Sequence, residues 1–175
     1  MKEISKAEAF AELRRHGSDG QHIDARVWRE IAAPGQLFAL TLASDDFLRL
    51  IWQEADFARF LTPPHESRTL RDVARRLIEL GYSFDALTAD IGLPREQHHP
   101  QWFTPCAEID RAFDMDRFGL LILTPATEGE YRQSPGGIYY VFDGVHKSIV
   151  LAKRLLENTI AFRPLDVLLL VPRRD

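Results

Sequence analysis

Residues 139–156 read YYVFDGVHKSIVLAKRLL and decide the fold. Residues 138–142 form a short apolar and aromatic run, which is typical of a buried strand. After Gly144 the apolar residues recur at helical spacing and share one side of a helix: Val145, Ile149, Ala152 and Leu156. The stretch therefore predicts a strand that turns at Gly144 directly into an amphipathic helix.

Three polar side chains, His146, Lys147 and Ser148, follow the glycine at the predicted helix start. Backbone N–H groups there have no intrahelical partner, and the helix dipole makes that end slightly positive. A glycine lets a ligand approach the backbone, and cationic and hydroxyl side chains suit a phosphate. The turn therefore predicts an anion site for a nucleotide phosphate or a nucleic-acid backbone. A tight turn that binds nothing is the other interpretation.

The same turn, with the predicted strand at 164–171, resembles the signature of the ParB/sulfiredoxin superfamily over residues 118–172, with a weaker match back to Leu37. That family has a Gly-x-His-Arg or Gly-x-Arg-Arg turn that binds nucleotide phosphates. The resemblance implies an α+β domain that uses ATP or another nucleoside triphosphate with Mg²⁺. Its phosphate contacts here would be Asp143, Gly144, His146, Lys147 and Ser148.

Members of this superfamily are chemically diverse: CTP-hydrolysing partition proteins, ATP-using sulfiredoxins, a free-serine kinase, nucleases, and Osa-type plasmid-encoded inhibitors of conjugative transfer. Sulfiredoxins carry their nucleophilic cysteine just before the histidine, where this chain has Val145, and Cys106 lies far upstream. Sulfiredoxin chemistry is therefore not expected. Lys147 replaces the usual arginine, which keeps the charge but loses the bidentate fork. The single-domain layout resembles the Osa-type inhibitors more than the multidomain partition proteins.

Hydrolysis of a nucleotide would require a carboxylate that bridges a metal or orients water. The candidates are Asp143 beside the turn, and Glu128 and Glu130 in the polar loop at 126–137. His146 is a candidate to stabilise phosphate charge or to donate a proton. Structural interpretations stay open: Asp143 would cap the helix by accepting from the N–H of 146 or 147, and loop glutamates are commonly solvated surface.

Two hypotheses for the function follow. The first is an enzyme, an ATPase that also cleaves DNA, acting in inhibition of plasmid transfer or in interbacterial competition. The second is a non-catalytic inhibitor that keeps the fold and blocks a protein of a conjugation or secretion machine. The functional context in both comes from the resemblance.

A second helix start lies at Thr69, with Asp72 at the reciprocal capping position and Gly81 at the end. Its apolar residues share one helical face: Leu70, Val73, Ala74 and Leu77. Under the resemblance, this helix packs beside the phosphate turn, and Arg68 is a second phosphate contact. A solvated basic surface is the alternative interpretation of Arg68 and its neighbouring arginines.

The composition indicates a globular protein. The chain has 175 residues, 45% hydrophobic and 27% charged, with a net charge of −4. That charge argues against a strongly basic surface that coats nucleic acid. A single cysteine, a polar N-terminus and the lack of any long apolar run predict a cytoplasmic protein without membrane insertion.

Together these patterns predict an α+β fold with a small mixed β-sheet and packed helices. We expect an N-terminal helical appendage at residues 1–36 and a ParB/sulfiredoxin-like domain at 37–175. Strands are expected at 37–43, 118–123, 138–142 and 164–171. The proline-rich segment 93–105 predicts an irregular loop that packs Trp102 on the core, and we expect no metal site at its adjacent histidines, His98 and His99.

Overall fold

A computed structural model describes residues 1–18, 22–52, 58–61, 68–125 and 139–172 of the chain. These residues form an α+β fold in which a five-stranded mixed sheet carries helices on both faces. The expected fold class, a mixed sheet with packed helices, is confirmed. No helix in these ranges is long and apolar enough to cross a membrane.

The sheet has the strand order β1-β2-β5-β3-β4. Its strands are β1 (Lys2–Ile4), β2 (Gly35–Leu42), β3 (Leu121–Pro125), β4 (Tyr139–Asp143) and β5 (Leu165–Pro172). Among these five strands, the β3–β5 pair is parallel and the other neighbouring pairs are antiparallel. Because β5 is central, its near-continuous apolar sequence is buried on both faces.

Two hydrophobic cores lie on opposite faces of the sheet. One core packs α4 (Leu70–Glu79), α5 (Phe84–Leu87), α6 (Pro100–Arg111) and α7 (Val145–Leu156) on strand residues that include Leu121, Leu123 and Val167. A short α3 (Ser44–Leu48) adds Phe47 to it. The other core packs α1 (Lys6–Ser18) and α2 (Ala25–Ala32) on Ile122, Leu168 and Leu170. The alternation along β3 and β5 follows from the two-residue period of a strand.

Residues 1–36, expected as an N-terminal appendage, contribute to the sheet and to the second core. Strand β1 pairs with β2, and Ala9, Leu13, Val27 and Ile31 are fully buried. The expected boundary after residue 36 falls inside β2. A capping box begins α1: the Ser5 N–H donates to Glu8 Oε2 at 2.7 Å, and the Glu8 N–H donates to Ser5 Oγ at 3.2 Å.

The outer edge of β4 is covered by an isolated bridge at Ile51. The Ile51 N–H donates to the Tyr139 carbonyl at 2.7 Å, and the Val141 N–H donates to the Ile51 carbonyl at 3.0 Å. The following residue, Trp52, donates from its N–H to the Arg68 carbonyl at 2.8 Å. These bonds place the start of α4 beside β4, and α4 packs against α7. The helix that begins at Thr69 therefore packs on α7, the helix that follows the predicted turn.

Two local predictions from the sequence were wrong. Residues 118–120 lie outside β3, because Gly119 has a φ of 74° and interrupts the extended backbone after a short 3-10 helix, Met115–Arg117. The segment predicted as irregular contains α6, which begins at Pro100 and includes Pro105. Proline at the first helical position loses no hydrogen bond, and the burial of Phe103 and Cys106 offsets the bond that Pro105 cannot make.

Candidate functional site

The predicted turn from strand to helix is present, and Gly144 is its pivot. Gly144 is the residue before α7 and has a φ of 93°, in the left-handed region that favours glycine. A Cβ atom at this position would lie 2.5 Å from Leu121 Cδ2 and 2.8 Å from Lys147 Cε. The space that glycine leaves open is therefore taken by side chains of the chain itself, and the nearest of them belong to Leu121 and Lys147.

The Lys147 side chain crosses Gly144 and ends at the start of β3. Its Nζ donates to the Leu120 carbonyl oxygen at 2.7 Å and lies 5.2 Å from the centroid of the Phe118 ring. Burial lowers the pKa of Lys147 to about 8, and the nearby Asp143 carboxylate opposes that shift. The ammonium is thus held at a fixed place, and its charged form is destabilised there.

Lys147 lines a cavity of about 850 Å³. The cavity lies between the end of α1, the end of α6, the 3-10 segment and the start of β5. Its other basic side chains are Arg15, His16, Arg117 and Arg163, and its acidic side chains are Glu108, Asp114, Asp116 and Asp166. Asp116 accepts a hydrogen bond from Arg163, so part of this charge is already paired. The cavity has a size typical of small-molecule sites.

His16 is the imidazole that shares this cavity. Its Nε2 lies 2.9 Å from an Nη of Arg15 and 3.5 Å from a carboxylate oxygen of Glu12. Burial, followed by the charge of Arg15, lowers the pKa of His16, while Glu12 raises it and Lys147 contributes to lowering it. Lys147 is therefore close enough to influence the charge of His16.

The predicted catalytic residue His146 lies on the other side of α7. Its ring packs on Trp102 with the ring centroids 4.5 Å apart, and burial lowers its pKa. Its Nε2 is buried and has no hydrogen-bond partner among the residues that the structure describes. His146 is not among the residues that line the cavity, so the structure does not bring it together with Lys147.

Two further predicted phosphate contacts, Ser148 and Asp143, make hydrogen bonds to the backbone of the turn. Ser148 is fully buried and its hydroxyl donates to the Val145 carbonyl at 2.8 Å. Asp143 Oδ1 accepts from the Gly144 N–H at 2.9 Å. Burial raises the pKa of Asp143, while Lys147 and the Gly144 N–H both oppose that shift. Asp143 is therefore a neighbour of Lys147, and it accepts from the N–H of residue 144 and not from that of 146 or 147, which the capping interpretation expects.

The remaining predicted residues lie apart from the cavity or outside the described ranges. Arg68 is buried at the start of α4, where its carbonyl accepts from Trp52, and it does not line the cavity. Glu128 and Glu130 fall in residues 126–138, which lie outside the described ranges. Of the described residues predicted for the site, only Lys147 reaches the cavity, with Asp143 and Gly144 beside it.

Sequence reasoning missed the cavity residues on other elements. Arg15 and His16 form the basic end of α1, a pattern that also marks an ordinary helix C-terminus. Arg117 and Arg163 stand singly in the sequence, and nothing local distinguishes them from surface arginines. The cavity residues come from parts of the chain that are far apart in sequence, and α1 and α7 lie on opposite faces of the sheet. Only the folded structure brings their side chains to one cavity.

Across the described ranges, no group of three or more His, Cys, Asp or Glu side chains is arranged to hold a metal ion. No protein-family model, curated protein or solved structure matches the chain. The function is therefore argued from the geometry of the cavity around Lys147.

Proposed function

We propose that this protein binds the phosphate group of a nucleotide in the cavity that Lys147 lines, on a ParB/sulfiredoxin-like fold. The proposal rests on the position of the Lys147 side chain. A strand–glycine–helix junction places Lys147 among the residues that line a cavity of about 850 Å³. Three arginines line the same cavity: Arg15, Arg117 and Arg163.

The chemistry of these side chains suits a phosphate. Lysine acts as a compact point charge, and arginine guanidinium groups bind phosphate oxygens in a planar fork. Arg15 pairs with Glu12 and Arg163 pairs with Asp116, but 56% and 65% of their side-chain surface is exposed, so a ligand can reach them. The acidic side chains of the cavity suit a Mg²⁺ ion carried by the nucleotide, because Mg²⁺ is commonly held by one or two carboxylates together with substrate phosphates.

Calorimetric titration with ATP and with CTP, each with Mg²⁺, tests the proposal. Lys147→Met keeps the aliphatic stem against Gly144 and removes the ammonium, and we expect it to weaken binding at least about tenfold. Lys153→Met is the matched control, since Lys153 lies on the same helix but pairs with Glu157. The control should bind like the wild type.

Circular dichroism verifies that both variants are folded. Wild-type protein that binds neither nucleotide, or a folded Lys147→Met variant with unchanged affinity, would overturn the proposal. Release of inorganic phosphate, measured in the same samples, determines whether binding is accompanied by the hydrolysis that the resemblance implies.

A further inference from the structure

We propose that Lys147 is also a carbonyl-reactive amine, and that its Nζ forms an imine with a small anionic aldehyde or 2-oxo acid in the cavity. This activity goes beyond phosphate binding, because it uses the neutral form of the same side chain. The proposal rests on three observations: Lys147 lines a cavity, its side chain is held in one place by the Leu120 carbonyl, and charged side chains line the same cavity.

The geometry leaves the nitrogen prepared to react. The stem of Lys147 lies against Gly144, and Nζ is anchored by one hydrogen bond to the Leu120 carbonyl. A neutral amine carries two N–H groups and one lone pair. Because the Leu120 oxygen accepts one of the N–H groups, the lone pair stays available to a carbonyl carbon. A fixed nucleophile also loses little conformational freedom when it reacts.

The surroundings favour the neutral form that the reaction requires. Desolvation activates a lysine as a nucleophile, and burial lowers the pKa of Lys147 to about 8. The charged groups packed around it are Asp143 at the end of β4 and the side chains that line the cavity: Arg15, His16, Glu108, Asp114, Asp116, Arg117, Arg163 and Asp166. At pH 7.5 about a quarter of a group with this pKa is neutral, against roughly 0.1% of an ordinary lysine.

The arginines of the cavity suit an anionic ligand that carries a reactive carbonyl group. Arginine binds a carboxylate in a bidentate manner, and Arg15 and Arg117 line the same cavity as Lys147. A carboxylate held by one of these arginines would place the carbonyl group of a small 2-oxo acid or aldehyde acid within the cavity. A neutral aldehyde lacks this contact.

The reaction balances without an oxidant or reductant. The Nζ lone pair adds to the carbonyl carbon, the π bond of the carbonyl group breaks, and its oxygen takes one proton that Nζ releases. The C–O bond of the resulting carbinolamine then breaks, the hydroxyl group leaves as water with the second Nζ proton, and a C=N bond to Nζ remains. The sum is one amine and one carbonyl compound giving one imine and one water.

Reductive trapping tests the proposal. The wild-type protein, without nucleotide, is incubated at pH 7.5 with glyoxylate and sodium cyanoborohydride, and modified lysines are located by peptide mass spectrometry. The other lysines of the chain, Lys2, Lys6 and Lys153, serve as internal references. We expect Lys147 to be modified about tenfold faster than each of them, with a rate that rises with pH and levels off above about pH 8.

Acetaldehyde provides the matched neutral probe. We expect the ratio of glyoxylate to acetaldehyde labelling to be higher at Lys147 than at Lys2, whose side chain is largely exposed. Labelling of Lys147 no faster than that of Lys2 would overturn the proposal, and an equal ratio at both lysines would overturn the anionic class of ligand. Because nucleotide is absent, neither result depends on the outcome of the calorimetric titration.

Discussion

At the scale of single residues, Gly144 is required for two separate reasons. Its φ of 93° lies where a side chain is strained, and a Cβ atom would approach Leu121 and Lys147 more closely than van der Waals contact permits. The sequence predicted the glycine turn but offered two purposes for it, ligand approach and relief of a tight turn. The structure shows a third, since the glycine makes room for the stem of Lys147.

We therefore expect Gly144→Ala to lower the free energy of unfolding by about 2–4 kcal/mol, from backbone strain together with overpacking. Gly81→Ala is the matched control, because Gly81 also has a positive φ, 70°, but no atom of the other described residues lies within 4 Å of the added Cβ. The control should cost about 1–2 kcal/mol. Urea unfolding monitored by circular dichroism measures the free energy of unfolding of both variants. Equal losses of stability would show that the close approach of the added Cβ to Leu121 and Lys147 is unimportant.

At the scale of helices and strands, the sequence predicted elements whose ends carry local signals. The α4 helix begins at the predicted cap, where Thr69 Oγ1 accepts from the Asp72 N–H at 3.3 Å and donates to an Asp72 carboxylate oxygen at 2.5 Å. The α6 helix was missed because its prolines read as loop signals, whereas its stability comes from tertiary burial of Phe103 and Cys106. Local sequence patterns therefore predict where an element begins and ends, except where tertiary packing stabilises a helix whose sequence is typical of a loop.

Substitution of Thr69 tests whether the hydrogen bonds at the start of α4 stabilise the protein. We expect Thr69→Ala to lower the free energy of unfolding by about 1 kcal/mol, because the Asp72 N–H loses its acceptor at the first turn. Thr69→Ser keeps the hydroxyl group and should recover most of that loss. The urea midpoint should shift with an unchanged m-value. A serine variant as unstable as the alanine variant would contradict a capping role.

At the scale of the whole molecule, the sequence predicted one residue of the cavity, Lys147, but not which other side chains join it there. Lys147 was identified because glycine, histidine, lysine and serine are adjacent in the chain. His146 and Ser148 follow the same pattern but point elsewhere, since successive residues of a helix face different directions. Arg15 and Arg163 reach the cavity from elements far apart in sequence, and only the order of strands in the sheet brings them together.

The buried charge of Lys147 also makes global stability depend on pH. Its pKa is about 8 in the native protein and 10.5 in the absence of burial, so below pH 8 both states carry the proton and the native state is penalised. Between pH 8 and 10.5 the unfolded state binds a proton that the native state lacks, and stability therefore rises with pH.

The contribution of Lys147 is measured as the free energy of unfolding of the wild type minus that of Lys147→Met. We expect this difference to rise by up to about 3 kcal/mol between pH 8 and 10.5. The difference cancels the opposite effect of Cys106, whose pKa burial raises and which is present in both proteins. Urea unfolding at pH 7, 8, 9 and 10 measures the trend, and a difference that stays constant with pH would show that Lys147 titrates as an ordinary exposed lysine.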